Sequence, residues 1–259
     1  MNALTLGFLV SRFPVLLLVF VRFSGLFATA PVLSSRYIPV RVRAMAAAFL
    51  AVFTVPFINP PEIPGEIVGL ALFAVNELVV GLSVGYVASV VLSTIQVAGQ
   101  LIDTELGFGM INVLDPQYGS PVPLFGNFYY LMALMFLIAG GGDRMMIAAL
   151  IRSYEAIPPG AMVSAPSPAF VAGLASGVFA TAIRVSAPLL GSLFMVTLAL
   201  GVVARAVPQM NVFMVGMPVK LVAGLVVLAA TFPLLPGMLE GIAGDMLRAV
   251  EGAISLLAR

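Results

Sequence analysis

The chain has 259 residues, of which 61% are apolar and 9% charged, with no Cys, no His and a net charge of +1. A soluble domain carries about 25% charged residues, so the composition is that of an integral membrane protein with helical spans. Without Cys there are no disulfides or thiolate metal sites, and without His the commonest metal ligand and general base is gone, so no metal or other cofactor is expected.

The order of the charges is informative. Residues 1–43 hold five Arg and no acid, residues 44–142 hold six acids and no Lys or Arg, and residues 143–259 hold seven basic and five acidic residues. Cytoplasmic loops normally attract Lys and Arg, so a basic-free run of this length conflicts with several such loops.

Residues 3–33 are nearly all apolar, broken by Arg12, Pro14 and Arg22. No small-residue cleavage site follows a short core, so the run reads as a span and not as a signal peptide. Arg22 lies well inside it, which costs about 3 kcal/mol unless the side chain snorkels or is paired. An ion pair between helices or subunits is the reading preferred here. The connection from Pro31 to Arg43 carries three Arg, the strongest positive-inside signal in the chain. It also suits anionic lipid, although topology is the default explanation.

Residues 44–59 predict a short second span that ends at Asn59-Pro60-Pro61, and an acidic, Pro-rich loop runs to Glu66. Residues 67–102 predict one very long apolar helix, longer than the hydrocarbon thickness. The spacing Gly81, Gly85, Ser89, Ser93 is a small-residue stripe suited to close helix packing. Glu77 within that run calls for a buried partner or a wet cavity.

The stretch from Gly99 to Gly126 holds three acids (Asp103, Glu105, Asp115), five Gly and three Pro, and no basic residue. It is not a spanning helix, and non-helical backbone at membrane depth must be buried in protein or line a water-filled cavity. Asp115-Pro116-Gln117-Tyr118-Gly119 reads as a tight turn. The stretch is either an ordered loop in or over a passage or an ordinary extramembrane loop.

Residues 124–139 predict the next span, opened by an aromatic belt of Phe125, Phe128, Tyr129 and Tyr130. Gly140-Gly141-Gly142-Asp143-Arg144 breaks it, and residues 145–157 predict an amphipathic helix. After a Pro- and Ser-rich loop, residues 169–204 are apolar around Arg184 and Pro188. A last span runs to about Pro236, and an amphipathic tail from Met238 closes the chain. Pro208, Asn211, Pro218 and Lys220 read as a helix-breaking bend between the last two spans.

A simple ladder of hairpins fails. Placing Arg36–Arg43 inside puts residues 103–123 inside without a basic residue, and 141–157, with Arg144 and Arg152, outside. Either 67–102 does not cross, or 99–126 re-enters, or the protein does not sit in a bilayer as an ordinary permease does.

Most enzymatic chemistry fails too. Gly140-Gly141-Gly142-Asp143 matches the Gly-Asp pattern of intramembrane aspartyl proteases. That chemistry needs a second carboxylate, for which Asp103 or Asp115 would have to serve, and a turn at a helix end explains Gly and Asp without it. There is no nucleotide-binding fingerprint, and the chain is not expected to be an enzyme. An ion-coupled secondary transporter or channel, acting alone through Glu77, Arg184 and Lys220, is the alternative function. The lack of two matching halves weakens it.

Three blocks resemble the FliR family, the R subunit (SctT type) of the flagellar and type III secretion export gate. They are Arg22-Phe23-Ser24-Gly25 with Ala30-Pro31 and Ile38-Pro39; Gly99-Gln100-Leu101-Ile102-Asp103 with Gly107-Phe108-Gly109, Asp115-Pro116 and Gly119; and Pro208-Gln209-Met210-Asn211-Val212-Phe213 with Gly216-Met217-Pro218-Val219-Lys220. The resemblance implies an all-α fold of long helical hairpins, about six hydrophobic helices plus amphipathic segments, in a single 1–259 unit. It implies a P-subunit-like part up to about residue 165 and a Q-subunit-like part from about 166. One copy would assemble with P- and Q-type subunits, and with other export-apparatus membrane proteins, into a spiral gate at the inner membrane and flagellar basal body. Much of that gate is held above the bilayer plane, which would account for the failed ladder. Unfolded proteins would cross it; nucleic acid is not an expected partner.

The resemblance also implies a pore plug at about 107–123. Gly107, Gly109 and Gly119 would give flexibility, Phe108, Met110 and Ile111 the seal, and Asp115 and Pro116 the turn. Arg22, Glu77, Asp103, Arg184, Pro208, Asn211, Phe213, Gly216, Pro218 and Lys220 are expected at subunit packing or as buried charges.

Overall fold

The computed structural model describes residues 3–58, 67–108, 123–164, 166–209 and 211–258, with side chains for all of these except 3–11, 67, 212 and 213. Among the described residues every regular element is helical: α1 (Ala3–Thr29), α2 (Val40–Thr54), α3 (Ile67–Leu106), α4 (Leu124–Ala139), α5 (Gly142–Ala156), α6 (Pro168–Ala206), α7 (Val212–Thr231) and α8 (Leu235–Leu257). Short 3-10 turns follow α2 at Val55–Phe57 and α7 at Phe232–Leu234. The all-α expectation holds. Five of these segments are long and apolar enough to cross a membrane, six if α4 and α5 count as one broken span. The chain is a multi-pass membrane protein.

The chain forms two compact units that interleave in sequence. The first comprises residues 1–91, 137–174 and 243–259, and the second residues 92–136 and 175–242.

In the first unit α1 and α3 meet along the predicted small-residue stripe. The closest approach is at Gly81, where a Cβ would lie 2.0 Å from the Arg22 carbonyl oxygen. Hydroxyls stitch the same seam: Thr29 donates to Leu82 O at 3.1 Å, and Ser89 donates to Thr29 O at 2.5 Å. Such bonds add directional cohesion where lipid offers helices no hydrophobic drive to associate. The amphipathic tail is also present. Met246, Val250, Ala253 and Leu257 are buried at helical spacing along α8, while Glu240, Asp245, Arg248 and Glu251 are exposed.

In the second unit α6 buries one stripe, Val178, Ala182, Ser186, Leu189 and Leu193. Leu193 packs toward Gly224 of α7, and Leu200 toward Gly216. The opposite face of α6, with Phe179, Ile183, Phe194 and Leu198, is exposed. Only 11% of its span is buried within the chain, against 50% for α3. A surface that apolar must be covered by lipid or by other subunits.

α3 runs unbroken for 40 residues. At 1.5 Å per residue it is about 60 Å long, twice the hydrocarbon thickness. The bend predicted from Pro208 to Lys220 is shorter than expected. α6 ends at Ala206 and α7 begins at Val212, so Pro208 and Asn211 lie in the break but Pro218 and Lys220 lie inside α7. Asn211 Oδ1 accepts the N–H of Met214 at 3.3 Å and starts the helix. Pro218 is tolerated within the helix, as neighbouring helices commonly allow in membranes.

Candidate functional site

Two polar sites stand out in an apolar chain. The first is a buried charge cluster in the first unit. Arg22 is fully buried and Glu77 is 1% exposed. Arg22 Nε donates to Glu77 Oε2 at 2.5 Å and Nη2 donates to Glu77 Oε1 at 3.0 Å, a two-pronged pair between α1 and α3. Two further bonds hold the guanidinium. Nη1 donates to Ser153 Oγ at 2.9 Å, and Nη2 also donates to Ile157 O at 3.0 Å. The Tyr154 ring centroid lies 3.9 Å from Arg22 Cζ, within cation–π range.

The carboxylate has a further donor. Gly160 N–H reaches Glu77 Oε1 at 3.1 Å. Pro158-Pro159-Gly160-Ala161 closes a turn, with Ala161 N–H on Pro158 O at 3.1 Å and Gly160 at φ +82°. Proline second and glycine third is the pattern of a type II turn. A side chain at 160 would also strike the Phe73 ring at 2.7 Å, so the position needs glycine twice over. Sequence reasoning anticipated a partner for each of Arg22 and Glu77, but missed Ser153, Tyr154, Ile157 and Gly160. The Pro-Pro-Gly run was the available signal for the last.

The second site lies in the second unit, at the end of α3. Gly107, at φ +86°, terminates the helix in the left-handed region. Phe108 then packs against Phe125 with ring centroids 5.9 Å apart. Asp103, one turn back, reaches the start of α4. Its Oδ1 accepts the N–H of Phe125 and its Oδ2 that of Gly126, both at 3.0 Å. Pro123, before α4, has no side-chain acceptor to offer, so a carboxylate from α3 caps the helix and meets its positive end. Gly99, four residues before Asp103 on the same face, touches Gly126 backbone to backbone.

The exit and the return of the connection 107–123 are thus both fixed on α3 and α4. Its predicted plug residues Gly109, Met110, Ile111, Asp115, Pro116 and Gly119 lie outside the described residues. Beside the exit is a cleft of about 550 Å³ whose lining includes Glu105, Gly107, Thr197, Gly201, Met217 and Lys220. Lys220 Nζ lies 4.0 Å from Glu105 Oε2, a loose and partly exposed pair worth little on its own.

The remaining predicted positions divide. Gly216 is buried against Leu200. Arg184 is exposed on α6, so within this chain it is not a buried charge, and Pro208 is exposed as well. The Phe213 side chain lies outside those described. Asp143 sits in the first turn of α5, which starts after Gly141 at φ +71°, so a helix start accounts for the Gly-Asp pattern. Asp103 is committed to capping. Among the described residues no cluster of three or more Asp and Glu is placed to hold a metal ion.

The cap carries a prediction. Asp103→Ala should cost about 1–2 kcal/mol of stability. It should also speed hydrogen exchange at the Phe125 and Gly126 amides, while Asp103→Asn should keep part of the protection. Unchanged exchange in Asp103→Ala would show that the cap is not made.

The family model described as bacterial export proteins, family 1, matches residues 13–246. The flagellar biosynthetic protein FliR of Bacillus subtilis is 37% identical over 228 residues, covering 85% of this chain and 86% of that protein. Its Escherichia coli namesake is 26% identical over 238 residues, 91% of each chain. The Yop proteins translocation protein T of Yersinia pestis is 28% identical over 204 residues, 77% of this chain and 78% of that one. With the model spanning both polar sites, the chain belongs to the FliR family of bacterial export proteins.

Proposed function

We propose that this chain is a core subunit of the flagellar type III export gate, and that its 107–123 connection closes the channel through which unfolded flagellar proteins pass. Membership of the export apparatus follows from the family. The channel, the plug and the P- and Q-type partners are the proposed part. The flagellar assignment is favoured by 37% identity to a flagellar relative against 28% to the Yop translocation protein.

The observation that carries the plug reading is the anchoring of both ends of the connection. A plug must yield to a passing chain yet return to one place. Asp103, Gly99 and Phe108 hold its two ends on α3 and α4, and beyond Phe108 run Gly109 and the soft apolar Met110 and Ile111. The exposed apolar face of α6 supports assembly with other subunits, because a helix so little covered by its own chain needs an apolar surround. Arg184, on the same helix, is proposed to pair across such a contact.

Deleting residues 107–112 in cells that carry the partner subunits tests the plug. Leakage of small molecules across the membrane should rise while the complex still assembles. Unchanged leakage with an intact complex would make the connection an ordinary structural loop. A gate subunit should also be inert without P- and Q-type partners, whereas a transporter would act alone.

A further inference from the structure

The seam between α1 and α2, in the first unit, contains two clefts in a row. One, of about 140 Å³, lies at the start of α2 and is lined by Ser24, Phe27, Ala28, Val40, Arg43 and Ala44. The other, of about 290 Å³ and almost wholly apolar, lies further along the same two helices. Phe13, Leu17 and Phe20 form one wall, and Ala48, Ala51 and Val52 the other. From Arg43 to Val52 the seam runs nine residues, about 14 Å along the helix axis. That is roughly half of the 30 Å hydrocarbon core, the depth of one leaflet.

The two ends differ in chemistry. At the α2 end Arg43 stands at the cleft, its Nε fixed by Ile38 O at 3.1 Å. Arg36 on the preceding connection and Arg41 in the first turn of α2 are exposed, and residues 1–43 contain no acid. α2 itself starts without a side-chain cap or an acidic residue in its first turn. Ser24 Oγ, in the wall of this cleft, is buried and has no hydrogen-bond partner among the described residues. Buried hydroxyls are rarely left unpaired, so this one awaits an acceptor. At the other end nothing polar lines the groove, and Phe13 and Val52 are more than half exposed.

We propose that this seam binds one anionic phospholipid, with its phosphate at Arg43 and Ser24 and an acyl chain lying in the groove between Phe20 and Ala48. Charge complementarity selects the ligand. A cationic head site at one end of a leaflet-deep apolar groove suits a lipid with a negative headgroup, and Arg36 and Arg41 add positive potential without having to touch it. A zwitterionic lipid satisfies the groove but not the charge. The site would fix the first helical hairpin at the anionic leaflet, and it does not depend on the plug reading.

Native mass spectrometry of the full chain in its complex tests the proposal, after extraction from vesicles containing phosphatidylglycerol and phosphatidylcholine in equal amounts. One phosphatidylglycerol should remain bound in preference to phosphatidylcholine. Arg43→Ala should lower its retention about five-fold. Arg36→Ala with Arg41→Ala, both at exposed positions, should lower it without disturbing the fold. Ala48→Phe should block the groove with every charge in place. Equal retention of the two lipids, or retention unchanged in Arg43→Ala and Ala48→Phe, overturns the proposal. So does a photo-reactive residue at position 48 that captures a protein subunit in place of lipid.

Discussion

Glu77→Leu is expected to destabilise the first unit by about 3–5 kcal/mol, the cost of leaving a buried charge without its partner. Arg22 would be stranded fully buried, with its Nε unpaired and its Nη groups holding only Ser153 Oγ and Ile157 O. Gly160 N–H would lose its acceptor at the same time. Arg22→Met should cost a similar amount by stranding the carboxylate. The double variant Arg22→Met/Glu77→Leu should recover most of the loss, since apolar replacement of a whole buried pair is often close to neutral. It should not recover all of it. Ser153 keeps its bond to Leu150 O at 2.6 Å and the half-buried Gly160 N–H can turn to water, but Ile157 O would remain buried and unpaired, at about 1–3 kcal/mol. The measurement is heat-induced loss of the monodisperse protein in detergent, run as a double-mutant cycle. Single variants as stable as the parent would show that the pair is not buried as described.

This cluster also shows how much was legible beforehand. Arg22 and Glu77 announced themselves as charges within apolar runs, and each was expected to have a partner. That they are each other's partner depends on α1 and α3 touching, and the small-residue stripe of α3 predicted close packing without naming the neighbour. The contribution of Gly160 was hidden because a Pro-Pro-Gly turn looks the same whether its N–H faces water or a carboxylate. Asp103 was hidden for a related reason. A helix is ordinarily capped from its own N-cap residue, and here Pro123 leaves that role to a residue twenty positions earlier on another helix. Helix positions were the easiest part, since the span 124–139 coincides with α4. Pro218 misled because proline marks a boundary more reliably in soluble helices than in membrane ones. Arg184 is exposed within this chain, so its expected place at a subunit contact depends on surfaces that other chains supply.

The second large effect is expected at Gly81. It lies one turn after Glu77 on α3, and a Cβ there would sit 2.0 Å from the carbonyl oxygen of Arg22, where ordinary contact begins at 3.4 Å. The obstacle is backbone, so no rotamer change relieves it, and α1 must move by roughly 1.4 Å, the difference between those distances. Overpacking of this kind costs about 1–3 kcal/mol, occasionally more. Here the residue pushed away is Arg22 itself, so Gly81→Ala should also loosen the two-pronged pair to Glu77 and exceed the usual range. The two losses must then be coupled. In the Arg22→Met/Glu77→Leu background there is no ion pair left to misalign, and Gly81→Ala should cost only its steric part. Neighbouring sites that share a structural element show such coupling at 0.5–3 kcal/mol, and a difference of that size is expected here. If Gly81→Ala costs the same in both backgrounds, the clash and the pair are independent. If it costs nothing in either, α1 and α3 are not in backbone contact at this point.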